Sequence, residues 1–327
     1  MCRMAYWAQA MNLLPILFVA SLLAQQTPDI RVDVDLVTVA CSVTDSKDAP
    51  AAHLKKDQFS LRDEGESREI RDFWQEADLP LTVALVVDAS GSQAGYVKSH
   101  RDAVADFLHQ VIGPADRAML VEIAQQARLL SSLTGSGADI DRAVQEIGSR
   151  QVRQAPMLGP PCRNAKIPHS CGGTALWHGI YYAAKELKPV SGRKAIIVLS
   201  DGIDTGSDVP LTDAVEMARS VGAVVYAIKY ATPMRFLSLG ATIAQAASHG
   251  LERLSKETGG VTFPNPGRRT SEVFAQIEAE LRNLYVLGFT PPEAARDGKL
   301  HKLAVGVSGE NLTARCRSGY RAENEQK

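Results

Sequence analysis

The stretch "LTVALVVDASGS", residues 81–92, decides how the chain folds. Leu81, Val83, Ala84, Leu85, Val86 and Val87 form a nearly unbroken apolar run. A strand with one wet face alternates apolar and polar side chains. A run that is apolar at both parities belongs inside a parallel sheet covered on both faces. The run ends abruptly at Asp88, and Ser90, Gly91 and Ser92 follow. A carboxylate and two hydroxyls therefore gather where a buried strand stops, which is where open parallel sheets place their ligands.

Downstream, similar strands alternate with helical periods. Val97, Val104, Leu108 and Val111 mark one helical face, then "RAMLVEIA" and "ARLLSSL" read as strands, followed by a helix near 139–147. Leu176, Ile180, Ala183 and Leu187 repeat the helical spacing before the strand "KAIIVLS" (194–200). A helix over 212–221 precedes the strand "AVVYAIKY" (223–230). Further helices cover about 239–257 and the face Val273, Ile277, Leu281 and Leu284. This order predicts one α/β domain over residues 79–283, a doubly wound, mostly parallel, Rossmann-like sheet.

The flanks read differently. "RVDVDLVTVACSV", "QFSLRDE" and "REIRDFW" within residues 30–78 are short alternating segments, as are "LYVLGFT", "KLHKLAVGVS" and "LTARCRSGY" within 284–322. Three strands from each end are too few to stand alone. We expect them to form one β-sandwich into which the α/β domain is inserted, with residues 323–327 as a tail. Residues 284–290 could instead close the α/β sheet.

At the N-terminus, Arg3 and the apolar "NLLPILFVASLLA" (12–24) read as an export signal over residues 1–24, cleaved after Ala24. The apolar segment is too short for a stable membrane span. Of five cysteines, Cys2 would leave with the signal. Cys162 and Cys171 share one loop, so a local disulfide is the economical pairing and leaves Cys41 with Cys316; buried free thiols are the alternative. Lys and Arg number 36 against 37 Asp and Glu, for a net charge of −1, so the composition shows no footprint for nucleic acid or an anionic membrane.

Three loops at strand ends or helix starts carry oxygen donors: Asp88, Ser90 and Ser92; Thr174 in "CGGTAL"; and Asp201 in "VLSDG". Hydroxyls and carboxylates without His or Cys favour a hard cation such as Mg²⁺, with Mn²⁺ or Ca²⁺ as alternatives. Each loop alone is ordinary turn or capping chemistry.

Together, "LTVALVVDASGS", "GGTALWHGI" and "KAIIVLSDGIDTG" resemble a von Willebrand factor type A domain with its metal-ion-dependent adhesion site. The flanks resemble a group of bacterial exported proteins that carry a variant of that domain. The resemblance implies that Ser90 and Ser92 bind the cation directly, and Thr174 directly or through water. Asp88 and Asp201 would act through bridging waters. It further implies an adhesion-type module, not an enzyme, in which an acidic residue of a protein partner completes the coordination, at work in the periplasm or outside the cell. A metal-dependent hydrolase would need a general base, for which His178, one turn beyond Thr174, is the nearest candidate. A structural envelope subunit with a vestigial metal site is the third reading.

Overall fold

The structure is a computed structural model that describes residues 36–75, 79–149, 173–230, 238–264 and 266–321. The expected signal segment and the Cys162 and Cys171 loop lie outside the described residues.

The first strands are β1 (Val37–Thr44), β2 (Phe59–Asp63), β3 (Glu66–Arg68) and β4 (Asp72–Gln75). The central domain then runs β5 (Leu81–Asp88), α1 (Val97–Val111), β6 (Arg117–Ile123), β7 (Ala127–Thr134), α2 (Gly137–Glu146) and α3 (Leu176–Glu186). It continues with β8 (Arg193–Ser200), α4 (Leu211–Ser220), β9 (Ala223–Lys229), α5 (Ser238–Thr258), β10 (Thr262–Pro264) and α6 (Thr270–Arg282). The chain closes with β11 (Tyr285–Phe289), β12 (His301–Val307), β13 (Thr313–Cys316) and β14 (Gly319–Tyr320).

Among the described residues the central sheet has the order β10-β9-β8-β5-β6-β7, parallel except for β7, which runs antiparallel to β6. All eight residues of β5 are buried, because the strand lies mid-sheet with helices on both faces. Leu81, Val83, Leu85 and Val87 pack with Phe107 of α1, Ile140 of α2 and Phe274 of α6. Ala84 and Val86, of the other parity, pack with Ile180 of α3, Val215 of α4 and Leu251 of α5. Side chains alternate across a strand, so a strand buried on both faces must be apolar at both parities. The expected α/β class follows from that one run.

The two chain ends interleave in antiparallel sheets. One has the order β13-β1-β11-β4 and the other β14-β12-β2-β3. Residues 285–289 therefore join the flanking sheets, between β1 and β4, and not the α/β sheet. The third apolar core lies among these strands, built on Val39, Leu61, Tyr285, Leu287 and Phe289. Tyr285 fills it with its ring and ends in two hydrogen bonds: its hydroxyl donates to Ala51 O at 2.8 Å and accepts from Leu54 N at 3.1 Å.

"REIRDFW", expected as one strand, is two. β2 turns back as β3 through Glu64 and Gly65, both at positive φ (50° and 89°). The chain then crosses to the other sheet, burying Ile70 on the way.

Cys41 and Cys316 are register partners on β1 and β13 and are joined by a disulfide across a sequence separation of 275 residues. Beside it, Glu280 of α6, fully buried, is held by Arg315 of β13 at 2.7 Å and by the Tyr226 hydroxyl of β9 at 3.1 Å. Covalent and ionic ties thus meet where the inserted domain leans on the flanking sheets. A bond closing so long a loop restricts the unfolded chain, and such bonds typically contribute about 2–4 kcal/mol. In urea unfolding, the Cys41→Ser/Cys316→Ser variant should lose that amount of stability while keeping its far-UV circular dichroism.

Candidate metal centre

Asp88 ends β5 and is fully buried. Its Oδ1 accepts from Ser90 N at 2.9 Å, which bends the chain out of the strand. Its Oδ2 accepts from the Ser200 hydroxyl at 2.7 Å, which locks the end of β8 beside it. Among the described residues no cationic side chain pairs with Asp88. Burial pushes its carboxyl up to about 6, against the two serine bonds that favour the charged form.

Ser90 and Ser92 present their hydroxyls together, with the two Oγ atoms 3.2 Å apart. Ser92 Oγ donates to Asp201 Oδ2 at 2.8 Å, and Gln93 Nε2 donates to the same oxygen at 3.0 Å. Asp201 Oδ1 accepts from Ile203 N at 3.0 Å, which ties the carboxylate to its own loop. Gln93 is fully buried, and its Oε1 has no partner among the described residues.

Thr174 comes to the same place from the third loop. Its N–H donates to Thr205 Oγ1 at 3.1 Å, and its carbonyl accepts from Thr205 N and Gly206 N at 3.1 and 3.0 Å. Asp204 accepts from Leu176 N at 2.8 Å at the start of α3. The loop after β8 thereby caps that helix and holds Thr174 at once. Gly173 makes the approach possible: at φ 143° a Cβ there would sit 1.8 Å from Thr205 Oγ1.

Ser90, Ser92 and Thr174 line an open cavity of about 1060 Å³, whereas Asp88 and Asp201 lie buried beneath it. Ser92 is exposed, Ser90 and Thr174 are themselves buried at 6% and 5%, and the two carboxylates lie deeper. Among the described residues no three His, Cys, Asp or Glu side chains gather to hold an ion. A cation in this place would be met by hydroxyls, water and the carboxylates of Asp88 and Asp201, a donor set that fits Mg²⁺ or Mn²⁺. Ser90 pairs with the Ser92 hydroxyl, and His178 lies buried with its ring 4.8 Å from that of Tyr182.

The sequence reading missed Ser200, Gln93 and Glu122. Ser200 and Gln93 adjoin motif residues and could have been suspected from position alone. Glu122 stands out as the one charge inside "AMLVEIA". It lines the same cavity, is 5% exposed, and accepts from Gly148 N. Burial pushes it up to about 7, while the Gly148 bond and the Arg101 and Arg128 charges oppose the rise.

Residues 83–203 match the sequence profile of the von Willebrand factor type A domain. This segment of the chain is a von Willebrand factor type A domain. Among solved structures, the chain is similar to the proximal thread matrix protein 1 of the mussel byssus, one form of which was solved with a zinc-occupied MIDAS motif. That form is 19% identical, with a TM-score of 0.47, over 67% of this chain and 49% of that one, so this chain spans about half the mussel protein's length. BatB from Bacteroides thetaiotaomicron is 16% identical over 62% of this chain and 100% of its own, with a TM-score of 0.44. The vWF domain of the type V pili tip protein Mfa5 from Porphyromonas gingivalis is 12% identical over 61% and 95%, with a TM-score of 0.43. No curated protein sequence matches the chain.

The raised Glu122 carboxyl gives a signed expectation for the type A domain. A folded-state pKa above the unfolded value contributes stability that is complete below the unfolded pKa and lost as pH rises through about 7. In EDTA, Glu122→Gln should therefore be more stable than the parent at pH 8 by roughly 2 kcal/mol, and the difference should shrink toward pH 5 in pH-resolved urea titrations.

Proposed function

We propose that the chain is an exported adhesion-type module whose type A domain binds a divalent cation and, through it, an acidic residue of a protein partner. The observation that carries this reading is the make-up of the site: three hydroxyl residues that line an open cavity, with the carboxylates of Asp88 and Asp201 buried next to them. Ser90, Ser92 and Thr174 would hold the ion. Asp88 and Asp201 would orient those hydroxyls and bridging waters. Bound there, a divalent cation supplies positive charge that neutral ligands leave largely uncompensated, and an incoming carboxylate compensates it.

Export is supported by the apolar segment 12–24 and by the Cys41–Cys316 bond, since disulfides persist in oxidising compartments. Among the described residues no helix is long and apolar enough to cross a membrane. Mg²⁺, Mn²⁺ and Ca²⁺ are the candidate ions, and Asp88, Ser90, Ser92, Thr174 and Asp201 are the residues that would make up the site.

Calorimetry on the intact chain should show Mg²⁺ or Mn²⁺ binding at millimolar dissociation constants or tighter. The Ser90→Ala/Ser92→Ala variant should abolish it, and Gly173→Ala should weaken it at least tenfold by displacing Thr205 and, with it, Thr174. Crosslinking capture from the native envelope should recover a partner with Mg²⁺ present and lose it in EDTA. Absence of metal binding by the intact chain would end the proposal.

A further inference from the structure

A second polar cavity, of about 300 Å³, opens at the other end of the central sheet, where the strand starts meet the flanking sheets. Arg193, Lys194, Arg219 and Arg317 all line it, alongside Thr38 of β1. Most of their bonds go to main-chain carbonyls. Arg193 donates to Leu79 O and Leu281 O, Lys194 to Val221 O at 2.9 Å, and Arg317 to Arg219 O and Thr38 O at 3.2 and 2.6 Å.

Cations beside the last carbonyls of a helix are ordinary capping, and Arg317 at the end of α4 is partly that. Capping does not account for the charge. Glu257 reaches Arg219 at 3.2 Å and is shared with Arg253 at 2.7 Å, and the Glu216 charge also acts on Arg219. Lys194 and Arg317 have no carboxylate partner among the described residues. Arg219 is 8% exposed, and the Nε–H groups of both Arg219 and Arg317 are buried without an acceptor. Arg317 is lowered to about 10 by burial and by the neighbouring Arg219 charge, so these two guanidiniums repel each other. Like charges at close range in a desolvated place need a counter-ion.

We infer that the junction cavity is an anion site for a tetrahedral oxyanion of the phosphate or sulfate class, held by Lys194, Arg219 and Arg317. Arginine forks suit such a group, and the cavity has room for a small anion and its waters. The bound anion would join β8 and α4 of the type A domain to Arg317, which follows the disulfide residue Cys316. The site is independent of the metal centre and does not rest on the function proposed for it.

The test is calorimetry and thermal unfolding of the full chain with inorganic phosphate in EDTA, against chloride at matched ionic strength. Phosphate should bind saturably at millimolar or tighter dissociation constants and raise the melting temperature, and chloride should do neither. Lys194→Gln and Arg317→Gln should each weaken binding at least tenfold. Arg317→Lys, which keeps the charge and loses the fork, should weaken it by less and covers the case in which the neutral variants do not fold. O-phosphoserine binding tenfold tighter than phosphate would identify the source as a phosphate carried on a larger molecule, and equal affinity would identify the free ion. The Ser90→Ala/Ser92→Ala variant should bind phosphate unchanged. No saturable binding, undiminished binding in both glutamine variants, or loss in the serine variant would each overturn the inference.

Discussion

The site depends on one buried carboxylate. Asp88 ends a strand buried along its whole length, and nothing cationic among the described residues stands beside it. Burying such a group is costly unless its lone pairs are used. The two bonds that use them are also the bonds that shape the site. The bond from Ser90 N sets the turn that brings Ser90 and Ser92 to the cavity, and the bond from Ser200 aligns the end of β8, so that Asp201 arrives under Ser92. The geometry of two loops follows from satisfying one side chain.

The third loop is governed from the second. Thr174 takes its position from Thr205 and Gly206, and α3 takes its cap from Asp204, all within a few residues of Asp201. Anything that moves the loop after β8 therefore moves an oxygen donor and the start of a helix together. Close packing favours discrete rearrangement over gradual drift. A helix that shifts with the loop is the natural element through which occupation of the site reaches the rest of the domain.

The central sheet was legible because burial on two faces leaves a mark that few other environments leave: apolar residues at both parities in β5, β8 and β9. The cavity-side positions were legible because strand ends and helix starts gather on one side of such sheets, so Asp88, Thr174 and Asp201 could be picked out by position. Other features left weaker marks. β10 is three residues long and ends in Pro264, too short for a period to show. The split of "REIRDFW" between two sheets falls at residues 69–71, where the chain leaves β3 for β4 and buries Ile70, a matter of tertiary packing and not of composition. Glu122 reads as an ordinary strand charge until tertiary packing buries it beside the cavity.

Net charge was the least informative quantity, and the insertion explains why. Arg193 bonds the carbonyls of Leu79 and Leu281, the points where the chain enters and leaves the type A domain, so strand starts are fastened to the flanking sheets. A parallel sheet clamped at its strand starts must present its strand ends at the far side, about 23 Å away for an eight-residue strand. Asp88 and Asp201 gather at that far end, and Arg193, Lys194, Arg219 and Arg317 at the clamped one. At physiological ionic strength the screening length is about 8 Å. Charges separated by several screening lengths do not cancel, however well they sum to −1 over the whole chain. The electrostatics of the molecule are set by where the insertion fastens it, with buried carboxylates at one end of the sheet and clustered cations at the other.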